Sequence, residues 1–378
     1  MCSGGRFDES RPMMPTRRHL LAGSAAAAIA AGAATRGAGA APILGLNARA
    51  EAKGKFFGTA VDDTQLRGDP PLLARVLADC GIVVSESSFK WEALQPEAGK
   101  FTFGRADAML QWATKARLRV RGHTLVWHEA NPKWLLAQLT PQTGEALLTG
   151  YIDTVCGHFR GKLVHWDVVN EVLHPEDGEP LGLRTTPWLK ALGPHYIDLA
   201  FHAAAQADPG ALRLINEFGL DYAIPWQEKR RAAMLTLLQT LLIRGVPVQG
   251  VGLQAHLDAA ETTLDQRVLA RFVADIGAMG LKVVITELDV RDDRLPANAA
   301  ARDQAVADHA RAFLDAVLPD PAVLGVLTWG LTDKRSWLNE KFPRPDGLPQ
   351  RPLPLDADLR PTLLWSAIAG AFDVLPAR

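Results

Sequence analysis

From Phe56 onward, short apolar runs rich in β-branched residues alternate with longer segments whose apolar positions recur at helical spacing. The short runs are predicted strands: Phe56–Val61, Ile82–Ser85, Arg119–Leu125, Val164–Val169, Arg213–Asn216, Gly250–Gln254, Lys282–Glu287 and Leu324–Trp329. Several are apolar throughout, the pattern of strands buried on both faces of a parallel sheet. The segments between them, Asp69–Asp79, Arg105–Ala116, Gly144–His158, Pro187–Ala207, Gln227–Arg244, Leu264–Met279 and Ala299–Val317, carry the apolar spacing of amphipathic helices. Eight strands separated by helices predict an α/β fold, a single (β/α)8 TIM barrel. The rival, a doubly wound open sheet, lacks a Gly-rich phosphate fingerprint after its first strand. No internal repeat, linker or second module interrupts the alternation.

The first forty residues do not follow this pattern. Arg17-Arg18 stands directly before an Ala/Gly-rich stretch, and small residues follow as far as Ala38-Gly39-Ala40. This reads as a twin-arginine signal segment over residues 1–40, removed to leave a catalytic barrel over 41–378. The alternative, an Ala-rich helix of the fold, does not account for the paired arginines. The stretch is too short and too weakly apolar for a stable membrane anchor. Met13 and Met14 offer later starts. The expected location is the bacterial periplasm or the medium.

Composition narrows the field further. Removal of residues 1–40 takes away five Arg and two acidic residues, moving the net charge from −1 to −4. No basic surface for nucleic acid is expected. Cys2, Cys80 and Cys156 give neither a disulfide framework nor metal-type spacing, so buried free thiols are expected for the last two. Trp is abundant beside Tyr; indole faces stack on sugar rings, although part of the set belongs to the core.

In barrel enzymes the chemistry gathers where strands end. The residues at or just after the predicted ends are Asp62, Glu86, Lys90, His123, Trp127, His128, Asn170, Glu171, Asn216, Gln254, His256, Glu287, Asp289, Trp329 and Asp333. Carboxylates, amides, imidazoles and indoles recur, as a sugar-binding cleft requires. Glu171 and Glu287 each close an apolar strand, on the fourth and seventh strands, across the mouth. Taken singly, each could be half of a structural ion pair. Together they match the two carboxyls of glycoside hydrolysis, one protonating the leaving oxygen and one attacking the anomeric carbon.

At these positions the chain resembles family 10 of the glycoside hydrolases, the endo-β-1,4-xylanases of the Asn-Glu barrel clan, over roughly residues 50–375. The resemblance rests on an ordered set: Glu86-Ser87-Ser88-Phe89-Lys90-Trp91, His123-Thr124-Leu125-Val126-Trp127-His128, Trp166-Asp167-Val168-Val169-Asn170-Glu171, Gln254-Ala255-His256, Thr286-Glu287-Leu288-Asp289-Val290, and Trp329-Gly330-Leu331-Thr332-Asp333 with Trp337. It implies a retaining endo-1,4-β-xylanase with Glu171 as acid/base and Glu287 as nucleophile. His256, braced by Asp289, would contact Glu287. Glu86, Lys90, His123, Trp127, Asn170, Asn216, Gln254, His256, Trp329 and Trp337 would contact substrate. The implied partners are xylan and xylo-oligosaccharides, with no metal, no cofactor and a monomeric enzyme.

The chain departs from the family pattern in two places. Ser87 stands where the family usually has Asn, and Glu217-Phe218 where it more often has Asp and Tyr. Other readings remain open. For His123 a satisfied barrel-core histidine fits the spacing, and Trp91 fits a core position. A β-1,4-glucanase or a mixed xylanase/cellulase would carry the same two glutamates. A metal-dependent barrel hydrolase could use His123, His128, His256 and Asp289, but the usual His-x-His on the first strand is missing from Phe57–Asp62. A non-catalytic carbohydrate-binding barrel would be favoured by loss of either strand-end Glu.

Replacing Arg17 and Arg18 with Lys should leave the precursor in the cytoplasm. Undiminished enzyme in the periplasm, measured by fractionation and immunoblot, would refute the signal reading.

Overall fold

The computed structural model describes residues 44–62 and 68–377, so the twin-arginine segment and Cys2 lie outside the described residues. Within them nine strands form one sheet: β1 Phe56–Val61, β2 Ile82–Ser85, β3 Arg119–Gly122, β4 His165–Asn170, β5 Leu212–Glu217, β6 Gly250–Leu253, β7 His256–Asp258, β8 Lys282–Arg291 and β9 Val323–Thr328. Strands β1 to β6 pair in sequence, all parallel; β9 pairs with β1 and β8, and a β6–β8 pairing closes the ring. The predicted eight strands are the eight staves of a closed parallel barrel with helices between them.

The sequence pattern explains the layering. Alternate strand positions face alternate sides. Phe57 and Val83 join the large apolar cluster that the outer helices cover, whereas Phe56, Ala60, Ile82, Val84, Leu214, Val284 and Leu327 form a small second cluster that fills the barrel interior. Other buried strand positions are polar, among them Arg121, His165, Asp167, Asn216 and Thr286. The core therefore lies between strands and helices, and the lumen is partly a polar network. The helices Leu46–Glu51 and Leu363–Asp373 are joined at Asp79, whose Oδ1 accepts from Leu46 N at 3.3 Å and Trp365 Nε1 at 3.0 Å.

Several boundaries differ from the prediction, each for a local reason. The third strand stops at Gly122 rather than Leu125, yet the chain stays beside β4 through Leu125 N to Asp167 O. The seventh barrel strand runs past Glu287 to Arg291, because β7 pairs with its extension, His256 opposite Asp289. The segment 187–207 is two helices, Pro187–Leu192 and His195–Ala207. Gly193 takes φ +63° after the first helix, and Pro194, with no N–H to continue a ladder, follows. Cys80 and Cys156 are free and buried, as expected.

Gly252 shows how tightly the lumen is filled. A Cβ there would lie 2.2 Å from Asn216 Oδ1 and 2.8 Å from Thr286 Cγ2. Gly252→Ala should therefore lower stability by about 1–3 kcal/mol. An unchanged urea midpoint would show that the Asn216 amide can move aside.

Candidate active site

The strand ends converge on two carboxylates. Asn170 ends β4 and pairs in register with Asn216 on β5, which pairs with Gly252 on β6. Gln254 follows β6, and its carbonyl accepts from Glu287 N on β8 at 3.0 Å. Side chains repeat this backbone order. Asn216 Nδ2 donates to Glu287 Oε1 at 2.7 Å and to Asn170 Oδ1 at 2.8 Å. Gln254 Nε2 donates to Glu171 Oε1 at 3.2 Å and approaches Asn170 Oδ1 at 3.5 Å. Three amides thus link Glu287 to Glu171 across the mouth. Asn216 is itself fixed, since its Oδ1 accepts from Thr286 Oγ1 at 2.7 Å.

The two glutamates have different surroundings. Glu287 is buried. Burial alone would push its carboxyl up, but the His256 hydrogen bond, the nearby His123 and His256 rings and the Asn216 amide together hold it down at about 2. His256 Nε2 lies 3.2 Å from Glu287 Oε2, and its Nδ1 lies 2.9 Å from Asp289 Oδ1. Burial disfavours charge on this ring, yet the carboxylates of Asp289 and Glu287 hold it well above its ordinary value, as an imidazolium donating through both nitrogens. Asp289 also accepts from Trp337 Nε1 at 2.7 Å.

Glu171 is partly open to solvent. Its Oε2 accepts from Trp127 Nε1 at 2.9 Å and lies 4.0 Å from His128 Nε2. Burial and the Arg184 charge hold the His128 imidazole down at about 4, so it is neutral near pH 7. Lys90 stands 4.9 Å over the Trp127 ring. Burial lowers its pKa, while the surrounding Glu287, Glu86 and Glu171 oppose that shift. His123 Nδ1 is 2.8 Å from Asp167 Oδ2, and its ring meets Trp329 edge-on with centroids 5.4 Å apart.

The strand-end residues named from sequence are thus largely brought together, with three changes of emphasis. Trp127 and Trp337, named as substrate contacts, each direct an indole N–H at a carboxylate. Asp333 instead holds a loop, accepting from Leu353 N at 2.9 Å. Trp91 is a core residue, stacked on Tyr151 with centroids 3.6 Å apart. Ser87, the departure from the family pattern, accepts from Arg105 Nη2 at 3.2 Å.

Sequence reading missed the support beneath the site. Asp167 pairs with Arg121 as well as His123, all three buried in the lumen. The available signal was a charged residue, Arg121 or Asp167, inside each of two predicted strands. Glu217, flagged only as a departure, is fully enclosed; burial pushes its carboxyl up to about 8, with the Arg230 guanidinium opposing. Arg184 gave no signal at all.

The electrostatics have a definite sign with pH. Glu287 is depressed when folded, so its stabilising contribution is present above its ordinary 4.5 and is lost as pH falls toward about 2. His256 is raised, so its contribution is present below 6.5 and is lost as pH rises through its folded value. In His256→Asn the Glu287 carboxyl should titrate upward from about 2, since burial remains while the counter-charge is gone. A carbon NMR titration that leaves this value in place would show that His256 does not govern it.

Comparison with known proteins places the chain in a family. The family model for glycosyl hydrolase family 10 matches residues 45–371. Endo-1,4-beta-xylanase A of Fusarium oxysporum f. sp. lycopersici is 34% identical over 311 residues, covering 79% of this chain and 90% of that protein. The crystal structure of native xylanase 10B from Thermotoga maritima superposes with a TM-score of 0.79 at 29% identity, covering 87% of this chain and 98% of that one. Xylanase 10B from Thermotoga petrophila RKU-1, solved in complex with xylobiose, gives 0.80 at 28% identity, covering 89% and 99%. With two strand-end glutamates, the amides between them and this family match over nearly all of the described barrel, the chain belongs to glycosyl hydrolase family 10.

Proposed function

We propose that the chain is an endo-1,4-β-xylanase that cleaves internal β-1,4-xylosidic bonds with retention of configuration. The observation that carries this reading is the unlike pair of glutamates at one barrel mouth. Glu287 is buried, ionised and aimed by His256 and Asn216, the state a nucleophile requires. Glu171 is more open and faces Trp127 and Gln254, as befits a group that gives a proton and then takes one back from water. Relatives named endo-1,4-beta-xylanase and a structural neighbour bound to xylobiose support the substrate class.

In this reading Glu287 attacks the anomeric carbon while Glu171 protonates the departing oxygen, and a covalent glycosyl-enzyme forms. Glu171 then activates the water that hydrolyses it. Asn170 takes two amide donors on Oδ1, which orients its Nδ2 toward the sugar's 2-hydroxyl. Glu86, Lys90, His123, Trp127, Gln254, Trp329 and Trp337 border the glycone, some touching sugar and others holding the carboxylates. Residues 1–40 act as the export leader, a role supported by Arg17-Arg18 ahead of the Ala-rich stretch.

Azide separates the two glutamates. Glu171→Ala should lower kcat on xylan by about 100- to 10,000-fold yet retain a burst of phenol from aryl xylobiosides, and azide should restore its turnover with a β-glycosyl azide product. Glu287→Ala should lose activity on every glycoside, and azide rescue should give the α product. The opposite pattern of products by NMR would exchange the two roles. Parallel assays on xylan and carboxymethyl cellulose distinguish a xylanase from a glucanase or mixed enzyme.

A further inference from the structure

Glu171 has a backbone conformation that its residue type disfavours. Its φ is +56°. A non-glycine residue in this left-handed region costs of order 1–3 kcal/mol and persists only where its surroundings over-determine it. One side of the peptide is held by the sheet, with Glu171 N donating to Asn216 O at 2.9 Å. The other side is held by a residue thirteen positions along the chain. Arg184 follows the 3-10 turn Pro180–Gly182 and lies beside the turn that leaves β4. Its backbone N donates to Val172 O at 2.6 Å, its Nε to Glu171 O at 2.8 Å, and its Nη2 reaches Leu173 O at 3.4 Å. Three consecutive carbonyls therefore meet donors from one residue: Val172 O from the backbone N–H, and Glu171 O and Leu173 O from the planar guanidinium fork.

The opposite face of the same turn is also pinned. Glu217 Oε2 accepts from Leu173 N at 2.9 Å, and Oε1 accepts from Arg230 Nη1 at 3.3 Å and Phe218 N at 3.1 Å. The Phe218 ring lies 5.7 Å from the Arg184 guanidinium and 4.3 Å from that of Arg230. The Arg184 charge also helps to keep His128 neutral, 4.0 Å from Glu171 Oε2.

We propose that Arg184 is a positioning residue for the acid/base: it fixes the left-handed turn at Glu171 and so keeps that carboxyl between Trp127 Nε1 and Gln254 Nε2. The inference rests on the assignment of Glu171 made above. Without the guanidinium the carbonyls of Glu171 and Leu173 lose their Arg184 donors and the turn relaxes toward ordinary backbone angles. The Glu171 carboxyl then swings off the leaving oxygen, while Glu287, held from β5, β7 and β8, stays in place. The defect is thus confined to proton transfer.

The test compares a xylo-oligosaccharide, whose sugar leaving group needs a proton, with dinitrophenyl β-xylobioside, whose leaving group does not. In Arg184→Met, kcat on the oligosaccharide should fall about 10- to 100-fold. The burst rate on the dinitrophenyl glycoside should change by less than about threefold. Arg184→Lys, which restores charge and one donor, should recover part of the loss. Active sites are counted from the burst amplitude and kcat is expressed per active site, so loss of folded enzyme does not enter the comparison, and Arg184→Lys can be read alone if Arg184→Met fails to fold. Equal losses on both substrates, or no loss on either, would overturn the proposal. Glu171→Ala is run alongside. If it shows the leaving-group-selective loss and the Arg184 variants do not, only the Arg184 inference fails. If Glu171→Ala itself shows no selectivity, the acid/base assignment falls and Arg184 falls with it.

Discussion

A carboxylate removed from water stays ionised only where opposite charge and hydrogen-bond donors take the solvent's place. The mouth of this barrel is arranged around that constraint at Glu287. One oxygen meets Asn216 and the other meets His256, whose far nitrogen meets Asp289, which in turn accepts from Trp337. A second column, Arg121–Asp167–His123, rises through the lumen on the other side. These partners come from β3, β4, β5, β7, β8 and the loop after β9, so the set is complete only in the closed barrel. Ionisation of one side chain is in this sense a property of the whole fold.

The three amides have a related role. Each uses both ends of its side chain or links neighbouring strands, so Asn170, Asn216 and Gln254 relate the two glutamates by a fixed chain of hydrogen bonds. Polar networks of this kind specify geometry when every member is satisfied. A substitution at Gly252, which touches no carboxylate, reaches both of them through Asn216.

Much of this was legible in the sequence because burial on both faces leaves several strands apolar throughout, and the amphipathic helices between them keep their spacing. Glu171 and Glu287 were legible for the same reason: a carboxylate at the end of an apolar run stands out. The Gly193-Pro194 break was missed, because apolar spacing on both sides of it obscured the stop. Other features were not available from spacing. Arg121 and Asp167 are 46 positions apart, and neither names the other. The indoles of Trp127 and Trp337 suggest sugar platforms by composition, whereas only three-dimensional placement shows their N–H groups on carboxylates. Arg184 lies in irregular chain between a 3-10 turn and a helix, where no periodicity marks a position.

The two enclosed cysteines carry a consequence for redox chemistry. The thiolate is the form that attacks disulfides and oxidants. Burial pushes both the Cys80 and the Cys156 thiol well above their ordinary value. In the native barrel these sulfurs are shielded twice, by packing and by protonation, so an oxidising medium finds neither of the two accessible. Unfolding removes both shields together. The reactive period for these sulfurs is therefore the interval spent unfolded: mixed disulfides and covalent dimers should be sought after denaturation in air, whereas storage of the folded protein leaves the thiols intact.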